Sequence, residues 1–135
     1  MCHRRDVAGY AAALEAFDRA LALAPDRVYT VAYRSYPLSA LGRHDEATRS
    51  LDQALALAPD DLVLIGAAGV AHAMAGDTTA ARRLLAALSS RPGRSPYLAA
   101  EVLAALGEGD GMFAMLERAV EERDPLVSEL GAMPV

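Results

Sequence analysis

The chain contains no lysine and no asparagine, so all 13 of its basic residues are arginines. Such a bias is expected of the codon usage of a GC-rich bacterial genome and needs no functional cause. The single cysteine, Cys2, excludes an intrachain disulfide and a thiolate metal cluster. Aromatic residues make up only 5% of a chain that is 53% hydrophobic, and alanine and leucine supply most of the difference. That composition suits closely packed helices, where small side chains let neighbouring backbones approach. Positive charge is also in deficit, with a formal net charge of -5. A surface that neutralises phosphates carries a basic excess or a basic stripe, so no nucleic-acid partner is expected. Long apolar runs are missing too, none approaching the roughly 18 residues that cross a bilayer. Glu15, Asp18 and Arg19 interrupt the export core that the start Met1-Cys2-His3-Arg4-Arg5 would otherwise introduce. The expectation is a soluble, cytoplasmic protein with no membrane partner, and 135 residues are enough for one domain.

What is present is a repeat. The string ALALAPD occurs at Ala20–Asp26 and again at Ala54–Asp60, an offset of thirty-four residues. That offset is the period of a unit made of two helices. Ala8, Gly42 and Gly76 follow the same step, and Gly107 comes after a slightly shorter one. Five residues beyond each stand Ala13, Ala47, Ala81 and Met112. Phe17, Leu51, Leu85 and Leu116 come next, then Ala20, Ala54, Leu88 and Ala119. Positions three or four apart share a helix face, so each set is a stripe in which small residues admit a neighbouring helix and a bulky one fills the gap. Gly42 and Gly76 fall where a left-handed residue ends a helix cheaply. Pro25 and Pro59 lie just past a helix end and block its continuation.

These positions resemble the tetratricopeptide repeat, whose second helix carries the small–bulky–small pattern ending in proline. The resemblance implies an all-α, right-handed superhelical solenoid of antiparallel helix pairs with about seven helices, in a single domain over residues 1–135. A half repeat occupies 8–26, repeats occupy 27–60, 61–92 and 93–125, and a tail follows at 126–135. The expected helices are Gly9–Ala24, Arg27–Leu41, Asp45–Ala58, Asp61–Ala75, Thr78–Ser90, Pro96–Leu106 and Gly111–Arg123, with Ser89–Ser95 as an irregular connector. One more helical turn is expected at Pro125–Leu130, with a loose tail after it. The stretch SPYLAAEVLAALGEGDGMFAMLERAVEERDP, Ser95 to Pro125, is similar to the last repeat of a bacterial group. Such arrays are typically joined to winged-helix transcriptional regulators, serine/threonine kinases or nucleotide cyclases. Met112 departs from that pattern, which usually has alanine there.

No catalytic constellation emerges. His3, His44 and His72 fall at unrelated repeat positions and lack the neighbours a metal needs. Glu117, Glu121, Glu122 and Asp124 read as a solvated acidic face, with Arg118 placed to pair locally. The serines include no G-x-S-x-G, and Gly107-Glu108-Gly109-Asp110-Gly111 lacks the lysine and the strand of a phosphate loop. It reads instead as an interhelix turn. A non-enzymatic protein without cofactor or metal is expected.

The resemblance assigns binding to an inner, concave face lined by the first helix of each unit. The matching positions are Tyr29, Ala32, Tyr36 and Ser39, then Val63, Gly66, Val70 and Met74, then Arg94, Tyr97, Glu101 and Ala104. Tyr33 joins Tyr29 and Tyr36 on one helix face, and tyrosines with an apolar body and a polar tip are common anchors. The candidate partner-binding set is therefore Tyr29, Tyr33, Tyr36, Val63, Val70, Met74, Tyr97 and Glu101. Pro37 interrupts that first helix, at a cost of about 3 kcal/mol if it is otherwise regular, and Arg34 stands where the repeat usually buries leucine. A kink or register shift after Tyr33 is expected. Family members that clamp a terminal carboxylate do so with lysine, arginine and asparagine, and those groove positions here are mostly alanine, tyrosine, valine and glycine.

The function expected is a protein-interaction scaffold or adaptor that holds a peptide or a partner protein. The alternatives are a detached regulatory segment of a larger regulator or kinase, and an RNA-binding helical repeat, against which the acidic balance argues. The chain starts halfway through a unit, leaving the first helix without the partner that would cover its stripe. A homodimer through residues 9–24, or repeats upstream of Met1, is expected from this.

Overall fold

The computed structural model describes the backbone of residues 2–90 and 95–125, with side chains from Val7 onward. The expected final turn and tail, 125–130 and beyond, lie outside the described residues past Pro125, as does Arg94. The fold is an all-helical repeat array, with no strand among the described residues. It divides into two compact units, residues 1–64 and 65–135.

In the first unit, α1 spans Cys2–Leu23. It begins seven residues before the expected Gly9, because the charged start is compatible with helix and nothing in it breaks one. α2 (Val28–Tyr33) and α3 (Ser35–Ala40) replace the single expected helix Arg27–Leu41. The break falls at Arg34, whose backbone keeps helical angles (φ -56°, ψ -23°). Pro37 has no N–H, so the hydrogen bond that would run from residue 37 to the Tyr33 carbonyl cannot form. The chain thus continues in helical geometry across an interrupted ladder. α4 (His44–Leu57) packs against α2 and α3 and buries Ala47, Leu51 and Ala54. Leu14 of α1, Leu38 of α3 and Ala47 of α4 form the centre of this core, with Leu41 packed on it. His44 opens α4 rather than standing in the turn before it, and its Nδ1 is buried without a hydrogen bond.

α5 spans Leu62–Met74 and begins at the end of the first unit. Asp61 caps it, accepting a hydrogen bond from the Leu64 N–H at 3.2 Å. The second unit continues with α6 (Thr78–Ser90), capped by Asp77 through the Ala80 N–H at 3.1 Å. α7 (Pro96–Ala105) and α8 (Gly109–Glu121) complete it. α8 starts at Gly109, so the interhelix turn is shorter than the glycine-rich sequence suggests. A β-carbon on Gly69 would stand 2.9 Å from Cγ2 of Val102, and one on Gly66 would stand 3.3 Å from Cδ2 of Leu98. The two glycines, three residues apart, therefore form the face of α5 against which Leu98 and Val102 of α7 pack.

The ends of α3, α5 and α7 share one design. Gly42, Gly76 and Gly107 have positive φ, and the N–H after each donates five residues back, to Leu38, His72 and Leu103 respectively. α8 ends the same way, with Asp124 N–H donating to the Ala119 carbonyl at 2.8 Å. Here, however, the left-handed position is filled by Arg123 (φ 54°).

That turn delivers Asp124 to the start of α7. Ser95 is the N-cap of α7, its Oγ accepting from the Leu98 N–H, and Pro96 follows at the first helical position. Ser95 Oγ donates to Asp124 Oδ2 at 2.6 Å, and the Tyr97 N–H donates to the same oxygen at 3.1 Å. Asp124 is 4% exposed. It is not part of a solvated acidic face. A carboxylate at a helix N-terminus meets unpaired N–H groups and the positive end of the helix dipole, which explains why an acid is buried there.

Candidate functional site: a tyrosine ladder on α2 and α3

Tyr29, Tyr33 and Tyr36 follow one another at spacings of four and three, so the near-continuous helix brings them to one face despite the break at Arg34. Their ring centroids are 6.0 Å and 6.1 Å apart, and each ring is tilted by 32° from the next. The three remain 48%, 50% and 67% exposed. The interior of this helix is made by Val31, Ala32, Ser35, Pro37 and Leu38, all buried. The rings therefore stand outside the core. The core contact of α1 is Leu14.

One end of the ladder is fixed. The Tyr29 hydroxyl donates to Asp61 Oδ2, while the other oxygen of Asp61 caps α5. The bond holds the proton on Tyr29, and its pKa is raised chiefly for that reason, with burial and the Asp61 charge adding to it. Among the described residues the hydroxyls of Tyr33 and Tyr36 make no hydrogen bond.

Arg34 faces away from the ladder's business. Its Nε donates to Asp18 Oδ1 at 2.7 Å and its Nη1 to Ser50 Oγ at 3.2 Å. It therefore links α1 and α4 at the point where the helix ladder is broken. Where the repeat usually buries leucine, this chain has a partly buried guanidinium that two partners satisfy.

The other candidate positions lie on separate helices. Val63 and Met74 of α5 are exposed and Val70 is partly buried. Gly66 is buried under Leu98 and offers no surface. On α7, Tyr97 is partly buried and Glu101 lies one turn further on. Burial raises the pKa of both, and the Glu101 charge adds to the effect on Tyr97. Glu101 keeps an open surface, yet enough of the chain crowds its carboxyl to disfavour the anion.

Sequence reasoning found the tyrosines but not Asp61, which joins the ladder to the next helix. Its signal was present: an aspartate just before the apolar run Leu62–Ile65 is an N-cap. A small cavity, of about 90 Å³, is lined by Leu88, Ser89, Ser95, Pro96, Ala99, Met115 and Arg118, away from these residues.

On α1, the stripe that the repeat buries elsewhere is open. Ala13 and Phe17 are partly buried and Ala20 is exposed, whereas their counterparts Ala47, Leu51 and Ala54 on α4 are all buried. Val7 and Tyr10 add 52% and 40% exposed side chains to the same helix.

The repeat pattern of these helix pairs is matched by a tetratricopeptide repeat profile over residues 38–106, just over half of the chain. The chain belongs to the tetratricopeptide repeat family. No curated protein matches it significantly. Tetratricopeptide repeats generally mediate protein–protein interactions on a non-catalytic scaffold. The matched span holds the tetratricopeptide turns at Gly42 and Gly76 but ends short of the tyrosines on its N-terminal side. Among the described residues no helix is long and apolar enough to cross a membrane.

Proposed function

We propose that this protein is an interaction module that holds a peptide or a protein partner against the tyrosine face of α2 and α3. The observation that carries this reading is the exposure of three neighbouring tyrosines on one helix face, outside the fully buried core. Rigid aromatic side chains give large contact area at low cost in conformational entropy. Val63, Val70 and Met74 on α5, and Tyr97 and Glu101 on α7, are further contact positions, each on its own helix. Arg34 is engaged by Asp18 and Ser50, so a clamp for a terminal carboxylate is not expected. A displayed peptide library panned on the wild-type chain and on Tyr33→Ala/Tyr36→Ala tests the proposal. Binders that survive the double substitution unchanged would refute it.

A second reading, self-association through α1, is favoured by the open Ala13–Phe17–Ala20 stripe. An apolar seam of that kind gains free energy when another helix covers it. Sedimentation equilibrium over a range of concentrations decides it, and a monomer at every concentration removes it.

A further inference from the structure

We propose that the tyrosine ladder receives arginine side chains of the partner, an inference that rests on the ladder being the docking face. Charge and ring geometry both point that way. Between Val28 and Ala40 the sole charged residue is Arg34, and Asp18 pairs with it at 2.7 Å. An acidic segment laid along this face would find Arg34 already paired with Asp18, and beyond it only Arg27 at the start of α2. At the Tyr29 end stands Asp61, oriented by the Tyr29 hydroxyl and the Leu64 N–H. A carboxylate has about four acceptor directions, so two donors leave room for an incoming guanidinium. Asp26 is exposed one turn of chain before Tyr29, opposed by exposed Arg27 at the start of α2. The whole chain carries a formal charge of -5, which favours approach of a basic segment.

Ring spacing sets the type of cation. Attraction between a cation and an aromatic face acts within about 6 Å of the ring centroid. Adjacent centroids here are 6.0 Å and 6.1 Å apart. A cation about 4 Å above the midpoint of two rings would therefore lie about 5 Å from both. The guanidinium group is flat and weakly hydrated and stacks on aromatic faces, whereas an ammonium is compact and strongly hydrated. Arginine fits a tilted pair of tyrosines, and a partner with two arginines could use both gaps.

The test uses capped peptides of alanine and glycine carrying two arginines, two lysines, two glutamines or two glutamates. Each is titrated into the full chain while the tyrosine ring signals are followed by NMR. The arginine peptide should bind about fivefold or more tighter than the glutamine peptide, and the glutamate peptide weakest of all. Tyr33→Phe/Tyr36→Phe should keep the preference, and Tyr33→Ala/Tyr36→Ala should lose it. Asp61→Asn should weaken arginine binding several-fold without lowering the melting temperature appreciably, since asparagine still caps α5. Equal binding of glutamine, lysine or glutamate peptides overturns the inference, as does indifference to the double alanine substitution. If library binders depend on Tyr33 and Tyr36 but are not enriched in arginine, the inference fails and the interaction module stands. If no binder depends on the tyrosines, both fail.

Discussion

Asp124 accepts from the Ser95 hydroxyl and from the Tyr97 N–H at the start of α7, so its carboxylate satisfies two donors there. Asp124→Ala should cost about 1.5–3 kcal/mol, the usual range for hydrogen bonds to a charged group, as measured by urea unfolding. The residue before it points the other way. Arg123 occupies a left-handed conformation that Gly42, Gly76 and Gly107 fill at the corresponding helix ends. Arg123→Gly should therefore stabilise the chain by about 0.5–1 kcal/mol, the relief of side-chain strain less the entropy of a freer unfolded glycine. Glu101 gives a pH dependence. Burial raises its pKa above the ordinary 4.5, so the folded state holds the proton more tightly than the unfolded state. Its contribution to stability is present in acid and is lost as pH rises through the raised value. Glu101→Gln should melt higher than wild type at neutral pH, and the two should converge below about pH 4. A gap that does not change with pH would mean the carboxyl is not crowded. None of these three roles is written in the local sequence. The acidic run Glu117–Asp124 gives no sign that one of its members is buried, because the partner of Asp124 lies twenty-nine residues earlier.

At the level of the helix, glycine position decides how closely neighbours approach. The β-carbon added by Gly69→Ala would meet a methyl of β-branched Val102, whose rotamer is stiff. Overpacking typically costs about 1–3 kcal/mol, and the helix propensity gained over glycine returns about 1 kcal/mol. A net loss of up to about 2 kcal/mol is expected. Gly66→Ala faces the terminal methyl of Leu98, which can turn aside, so its effect should stay within about 0.5 kcal/mol of zero. Equal losses in urea melts of the two variants would contradict the packing described. The order of helices was legible because small and bulky residues recur at a fixed period, and the interruption after Tyr33 was legible because proline lacks an N–H. The early start of α1 was not. Its first residues carry no cap and no stripe that would mark a beginning.

For the whole chain, the decisive question is what covers α1. Leu51 is 3% exposed and its truncation to alanine should cost about 2–5 kcal/mol. Phe17, the same position of the repeat, is only partly buried, so Phe17→Ala should cost distinctly less in the monomer. If α1 pairs with a second copy, the same substitution should instead shift the monomer–dimer equilibrium toward monomer. Sedimentation of wild type and Phe17→Ala, beside their unfolding curves, separates the two effects. A loss as large as that of Leu51→Ala with no change in assembly would show the stripe to be core.

The period, the helix pairs and the placing of three tyrosines on one face were legible in the residues alone, because each follows from spacing along a helix and from the chemistry of proline and glycine. Packing set what those residues meet. It set Asp61 against Tyr29, gave Arg34 to Asp18 and Ser50, and buried Asp124 at the start of α7. These are polar contacts between residues sixteen to thirty-two positions apart. A hydrogen bond depends on tenths of an ångström and on direction, which a pattern of hydrophobic residues does not encode.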